Sequence, residues 1–325
     1  MVGAFEGIRG QDRAVTLLLR YLASGTIPPG LLFFGEEGIG KERTAAAFVA
    51  ALLCRDRNAA GCGACRDCAL LRSGSHPNFL RVLPATRNIL IEDVRRLQEE
   101  LALKAFSDRP RAVLISPADR MTVQAANALL KTLEEPPPGT HLLLVAHGIS
   151  RLPPTIVSRC QKIPFSPLPT GEVERILGGV PGVADRASAS RIRSAAACSG
   201  GSPGRALEGL DEAEGDRERW IRLLSARDPA AILAEAASWK GTGDLSRRIA
   251  VPLALVRDLG LLASGEETGI LNEDLKDALR ALARKRTPEG WSRALKALLS
   301  MSRLPPQVQK PLMAEAFLFE FHAKG

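Results

Sequence analysis

The segment 31–53 constrains the fold of this chain more than any other part of its sequence. Four apolar residues at 31–34 precede a glycine-rich turn at 35–40, which is followed by a lysine and an Ala-rich stretch. This order is typical of a buried strand that leads through a phosphate-binding loop into a helix. The alternative is that 35–40 is only a tight strand-to-helix turn. The candidate phosphate-contacting residues are Gly35, Gly38, Gly40 and Lys41.

The residue after Lys41 departs from a working loop. A working P-loop ends in Ser or Thr, whose hydroxyl binds magnesium, whereas this chain has Glu42. An ATPase also needs an Asp for the metal at the end of a neighbouring strand, and the predicted strand 112–115 leads into Ser116. With two defects at the metal site, we predict no hydrolysis and little or no ATP binding. We expect Lys41 to pair with a carboxylate; a weak, magnesium-free hold on phosphate is the alternative.

Four of the six cysteines lie within fifteen residues and predict a metal module at 54–68: Cys54, Cys62, Cys65 and Cys68. Four thiolates can close a tetrahedron around zinc and leave no position for water, so the predicted zinc is structural. A disulfide pair is the alternative. We expect Arg55, Arg57 and Arg66 to offset the thiolate charge, and His76 to be a loop residue rather than a ligand.

The bulk composition predicts two or three domains, since 325 residues with 45% hydrophobic content can bury several cores. No run reaches the roughly 18 apolar residues of a membrane span. The first ten residues also lack the apolar centre of a signal peptide, so we expect a cytoplasmic location with no membrane partner. The net charge of +8 is spread along the chain, and aromatic residues make up only 4%. Any nucleic-acid contact is therefore expected to be mainly to phosphates.

Hydrophobic patterning predicts three regions. Residues 1–166 alternate strand-like and helical runs, which indicates a parallel α/β sheet; residues 167–212 form short, glycine-punctuated helices; residues 213–325 are helical throughout. In the last region Trp220, Trp239 and Trp291 are expected in the core. The predicted strands are 31–34, 79–83, 112–115 and 142–146, and the predicted helices beside them are 13–22, 41–53, 91–106 and 122–133.

Three further segments carry a resemblance to a known family. They are Ser75-His76-Pro77, the run from Ala126 to Pro137, and Ser158-Arg159-Cys160. With the degenerate loop and the cysteines, they make the chain resemble the AAA+ clamp loaders, most closely the delta prime subunits of bacterial DNA polymerase III. The resemblance covers nearly all of the chain. It implies an AAA+ P-loop domain with an inserted zinc module, a small helical lid and an all-α collar.

The same resemblance implies a function. The chain would be a non-hydrolysing stator in a hetero-pentamer with motor subunits and a delta subunit, which loads a sliding clamp onto primed DNA. Arg159 would act in trans as an arginine finger on the neighbour's nucleotide, with an interface ion pair as the alternative. The resemblance also matches the segment 201–207 to a nucleotide-contacting segment of the motor subunit. The position of that segment's arginine falls on Gly204 in this chain, with Arg205 next to it. Arg95, Arg96 and Lys104 would face DNA or, alternatively, solvent.

Two other functions stay open at this stage. One is an active ATPase in which Glu42 or Asp119 substitutes for the missing metal ligands. The other is a zinc-containing nucleic-acid-binding protein built on a defunct P-loop fold.

Overall fold

The computed structural model describes residues 3–56, 61–84, 86–103, 109–225, 228–240, 245–301 and 310–323. The chain divides into two compact units, Met1–Leu168 and Pro169–Gly325.

The first unit is built on a parallel sheet, as the sequence predicts. Its strand order is β2-β3-β4-β1-β5, and every pair of neighbours is parallel. The three inner strands are buried along nearly their whole length, which explains why they read as continuous apolar runs rather than alternating ones. The strands are β1 (Gly30–Phe34), β2 (Phe79–Val82), β3 (Arg111–Ile115), β4 (Thr140–Ala146) and β5 (Gln161–Pro164).

Strand β5 is missing from the sequence prediction. It is an edge strand beside β1, and only Ile163 of its four residues is buried. Its proline lies at the last position, where an edge strand tolerates the missing N–H. A single buried residue gives no periodicity, and the prolines that follow indicated a linker instead.

Helix α1 (Asp12–Ser24) precedes the first strand, and the other described α-helices of this unit lie between strands: α2 (Lys41–Leu53), α3 (Arg66–Arg72), α4 (Ile91–Ala102), α5 (Val123–Glu134) and α6 (Pro154–Val157). The short helix α3 escaped prediction because seven residues are too few for a clear period. The predicted helix 91–106 ends at Ala102, and the predicted residues 104–106, including Lys104, lie outside the described residues.

The second unit contains helices α7 (Thr170–Gly178), α8 (Val183–Arg186), α9 (Ala189–Cys198), α10 (Pro203–Ser225), α11 (Pro229–Ser238), α12 (Leu245–Ala263), α13 (Lys276–Ala283), α14 (Pro288–Met301) and α15 (Lys310–Ala323). Its core includes the three tryptophans, each at most 2% exposed, as predicted. Helix α10 runs through residue 212, the predicted boundary between lid and collar. The division into 167–212 and 213–325 stays a prediction. Among the described helices, none has both the length and the apolar content that a bilayer crossing requires.

Candidate nucleotide loop, thiol cluster and exposed arginine

Glycines shape the loop between β1 and α2. Gly35 has φ +148°, and a Cβ there would lie 2.5 Å from the carbonyl oxygen of Phe165, so a side chain is excluded by backbone and by space. Gly40 has φ +93° and forms the N-cap of α2. The predicted loop residues 35–41 therefore have the strand–turn–helix context that a P-loop requires.

Lys41 is turned back onto its own loop. The residue is only 5% exposed, and its Nζ donates to the carbonyl oxygen of Gly35 at 2.7 Å and to that of Glu36. Main-chain carbonyls thus hold the ammonium group that a working loop directs at phosphate oxygens.

Glu42 is bound by two residues from distant parts of the chain. Arg81 Nη2 on β2 donates to its Oε1 at 2.9 Å, and Ser116 Oγ, just beyond β3, donates to its Oε2 at 3.1 Å. The two positions at which the sequence departs from an ATPase therefore touch each other. In an active motor subunit the loop supplies the hydroxyl and the end of the strand supplies the carboxylate. Here the loop supplies the carboxylate of Glu42, the end of β3 supplies the hydroxyl of Ser116, and the guanidinium of Arg81 contacts the carboxylate. Arg81 thus pairs with Glu42, and the expected pairing of Lys41 with a carboxylate stays a prediction.

The side chain of Asp119 is only 4% exposed and lies at the carboxyl end of β4. Its carboxylate lies 2.9 Å from His147 Nδ1, accepts from the His147 main-chain N–H at 3.2 Å and lies 3.6 Å from Arg151. Burial opposes ionisation of this side chain, but the hydrogen bonds from His147 outweigh it and lower the Asp119 pKa below its usual value. The carboxylate that could have replaced a missing metal ligand is held by these neighbours. Sequence reasoning missed both His147 and Arg81, because neither lies in a recognisable motif.

The four predicted cysteines converge into one group, called here the thiol cluster: Cys54, Cys62, Cys65 and Cys68. Their sulfurs all lie within 4.8 Å of one another, and all four cysteines are free. Cys54 Sγ is 3.6 Å from Cys62 Sγ and 3.9 Å from Cys65 Sγ. Four sulfurs at about 2.3 Å from a tetrahedral zinc would be about 3.8 Å apart. The spacing fits a zinc ion.

Main-chain amides also donate hydrogen bonds to the sulfurs of the thiol cluster, which stabilises negative charge on them. The N–H groups of Cys62, Cys65 and Cys68 donate to the sulfurs of Cys54, Cys62 and Cys65 in turn, at 3.3, 3.3 and 3.5 Å. Burial disfavours the thiolate of Cys65, but several hydrogen bonds together, from the main chain of Cys68 and Arg55 and from the neighbouring thiols, outweigh it and lower the Cys65 pKa to about 6. Such sulfurs favour a cation.

Asp67 links helix α3, beside the thiol cluster, to arginines from two other segments of the first unit. This carboxylate, on α3 between two of the cysteines, accepts from Arg55 Nε at 3.0 Å and from Arg109 Nη1 at 2.5 Å. His76 Nε2 lies 3.8 Å away, and His76 Nδ1 accepts from the main-chain N–H of Asn78. His76 is outside the four-residue metal group, in keeping with the expected loop role. Of the arginines expected to offset thiolate charge, Arg55 contacts Asp67, and Arg57 lies outside the described residues.

Arg159 is at the surface after α6, and its side chain is 37% exposed. Nε and Nη2 both contact Glu134 Oε1, at 2.7 and 2.5 Å. Nη1 donates to the carbonyl oxygen of Thr155 at 3.0 Å. The guanidinium is therefore exposed and held in one orientation.

The remaining predicted sites lie apart from these groups. Arg95 and Arg96 are exposed on α4, while Gly204 lies in the first turn of α10. Arg205 lines a cavity of about 250 Å³ bounded by α9, α10 and α12. Cys160 is buried and Cys198 is half-buried, and burial raises both thiol pKa values to about 11.

Comparison with known proteins places these features in a family. The family model described as "DNA polymerase III, delta subunit" matches residues 10–169. A DNA polymerase III subunit delta' of Pseudomonas aeruginosa is 36% identical over 273 residues, which is 78% of each chain. The chain belongs to the delta' family of DNA polymerase III subunits.

Other relatives of this delta' family member are similar over smaller parts or at lower identity. The subunit delta' of Bacillus subtilis is 36% identical over 164 residues, half the length of each chain. A solved gamma subunit-related protein of DNA polymerase III from Thermotoga maritima has 17% identity and a TM-score of 0.40, covering 96% of this chain and 99% of its own. The resemblance to the clamp-loader family that the motifs indicated is confirmed by the delta' membership.

Proposed function

We propose that this chain is a non-hydrolysing stator of a clamp-loader complex. In this role it supports the ring of subunits and supplies Arg159 to the nucleotide of a neighbouring motor subunit. Its partners would be motor subunits and a delta subunit, and the complex would load a sliding clamp onto primed DNA. We also propose that the thiol cluster binds one structural zinc ion and that the chain acts in the cytoplasm.

The contact between Glu42, Arg81 and Ser116 carries this proposal. Magnesium in a P-loop is held by a loop hydroxyl and a strand carboxylate. Here the loop supplies the carboxylate and the strand end supplies the hydroxyl, and the carboxylate is neutralised by Arg81 at 2.9 Å. A divalent cation entering this site would meet a guanidinium already paired with its nearest anionic ligand.

The described contacts argue against an active ATPase. That alternative needs Glu42 or Asp119 as a metal ligand, and both carboxylates are engaged by cationic or hydrogen-bonding neighbours. Lys41, at the position of the lysine that contacts phosphate in a working P-loop, is likewise held by loop carbonyls.

The exposure of Arg159 supports the part it would play for a neighbour. An arginine supplied in trans must reach beyond its own surface, and Arg159 is exposed while its orientation is fixed by Glu134 and Thr155. Such an arginine stabilises the charge that develops on the transferred phosphoryl group and is worth about 10³ to 10⁵ in rate.

Two measurements test the proposal. The purified, zinc-loaded chain should show no phosphate release with magnesium and ATP; turnover abolished by Lys41→Ala would overturn the stator role. In the assembled loader, Arg159→Ala should preserve assembly and lower the ATPase that DNA and clamp stimulate. An assembled Arg159→Ala loader with unchanged ATPase would overturn the trans role.

A further inference from the structure

Glu134 and Arg159 form a pair whose geometry does more than neutralise two charges. Glu134 is the last residue of α5, and its Oε1 accepts from both Nε and Nη2 of Arg159. On the other side of the guanidinium, Nη1 is held by the Thr155 carbonyl at 3.0 Å, with a longer contact of 3.4 Å to Ser158 Oγ. The planar group is thus fixed at three nitrogens by groups of its own chain.

The backbone behind this pair is also fixed. Gly30 begins β1, and a Cβ placed there would lie 3.1 Å from the Arg159 carbonyl oxygen, from Cys160 Sγ and from Leu133 Cδ2. Leu133 is next to Glu134 in the chain. The main chain of Arg159 and the side chain of Leu133, the residue before Glu134, therefore both lie close to the first residue of β1, which limits how far the backbone at either position can move.

Fixing an arginine in this way matters for a reaction across an interface. A free arginine side chain samples many rotamers, and a planar fork held in advance loses less freedom when it binds a phosphate. Donors that are already in place also act on developing charge without having to reorganise. A misplacement of about 1 Å can cost about 10² in rate.

We propose that Glu134 is a positioning residue for Arg159: it holds the guanidinium from the side so that the remaining N–H groups face a phosphate of the neighbouring subunit. This inference rests on the proposed trans role of Arg159. Glu134 itself would not touch the nucleotide. The opposite arrangement, in which Glu134 competes with the phosphate and restrains Arg159, predicts the opposite change in rate.

The test uses a complete loader in which only the motor subunit next to this chain keeps a working P-loop. We expect Glu134→Ala to lower kcat for ATP about tenfold, less than the loss from Arg159→Ala, with KM unchanged. Glu134→Gln, which keeps an oxygen acceptor, should retain most of the rate. Affinity for ADP with aluminium fluoride, which mimics the transition state, should fall with kcat, whereas affinity for a non-hydrolysable ATP analogue should not.

A matched control and a double variant separate positioning from general charge effects. Glu135→Ala removes the same charge from the neighbouring exposed residue and should leave kcat unchanged. In an Arg159→Ala background, Glu134→Ala should cause no further loss, because Glu134 acts only through Arg159. Gel filtration and thermal melting confirm that each variant chain is folded and assembled; where Glu134→Ala fails to assemble, Glu134→Gln and the kcat and KM comparison decide.

Each outcome has one meaning. An unchanged or raised kcat in Glu134→Ala, an equal loss in Glu135→Ala, or a further loss in the Arg159→Ala background overturns the positioning role. These results leave the trans role intact as long as Arg159→Ala itself lowers kcat. If Arg159→Ala has no effect, the proposed function fails first.

Discussion

Replacing Glu42 and Ser116 together should convert the loop into one that responds to magnesium. The double variant Glu42→Thr/Ser116→Asp restores a loop hydroxyl and a strand carboxylate, which are the ligands a P-loop uses for the metal. It also releases Arg81 from its 2.9 Å contact with Glu42. We expect nucleotide affinity to become at least about tenfold higher in magnesium than in EDTA, since metal and phosphates then bind together.

The magnitude for Glu42→Thr alone follows from its position. A carboxylate about 5 Å from one phosphate charge costs about 3 kcal/mol at an effective dielectric constant of 20 and about 0.8 kcal/mol at 80. Because the Glu42 side chain is 50% exposed, the screened end of this range applies. Removing its charge should therefore tighten nucleotide binding by about 1 kcal/mol, or about fivefold.

The stability cost of these changes has two sources, the contacts that are lost and the new carboxylate at position 116, where Ser116 is only 4% exposed. The Arg81–Glu42 pair is half exposed and contributes about 1 kcal/mol or less. The Ser116–Glu42 hydrogen bond contributes about another 1 kcal/mol. The two lost contacts together cost about 2 kcal/mol or less, which is within the usual margin of a folded domain, and urea unfolding of the double variant measures what the buried carboxylate adds.

Calorimetric titration with a non-hydrolysable ATP analogue, in magnesium and in EDTA, is the assay for the original chain and both variants. Glu37→Thr is the matched control, since it removes the same charge from the same loop, where the Glu37 carboxylate lies 3.8 Å from His147 Nε2. The reasoning is refuted if the original chain already binds more tightly in magnesium. It is also refuted if the folded double variant binds equally in both buffers.

The remaining predictions concern stability. Treatment with a chelator, or the variant Cys65→Ala, should remove one zinc ion per chain, as measured by mass spectrometry. The melting temperature should fall by about 10 °C, because a structural zinc site stabilises its fold directly. An unchanged melting temperature would mean that the thiol cluster binds no structural metal. Arg111 is buried and its guanidinium donates to the carbonyls of Glu100, Leu101 and Leu103 at the end of α4, so Arg111→Met should cost about 2–4 kcal/mol in urea unfolding. A loss below about 1 kcal/mol would show that water satisfies those carbonyls. The Asp119 pKa is lowered in the folded chain, so its stabilisation is present above the unfolded value near 3.8 and is lost as pH falls through the folded value. Urea midpoints between pH 5 and 3 should accordingly fall more steeply for the original chain than for Asp119→Asn, and parallel curves would contradict this sign.

Much of the fold could be predicted because its signals are local. The apolar runs of β1, β3 and β4 lie in the centre of a parallel sheet, so burial on both faces imposed an uninterrupted hydrophobic sequence. The turn at 35–40 could be predicted because its backbone requires glycines, and these glycines are visible in the sequence. Strand β5 gave no such signal, since it is short and at the edge, and its place beside β1 is fixed by tertiary pairing.

The candidate sites divide in the same way. Closely spaced cysteines can meet only around a small ion or around each other, so the sequence by itself determined the thiol cluster. The incomplete P-loop is likewise legible in consecutive residues, whereas Arg159 was singled out by the family resemblance and its exposure came from the structure. Only the tertiary structure decided what those residues touch. Arg81 and Ser116 are 39 and 74 residues from Glu42, and Glu134 is 25 residues from Arg159. Contacts of this kind depend on the order of strands in the sheet, and the hydrophobic pattern within each segment does not determine that order.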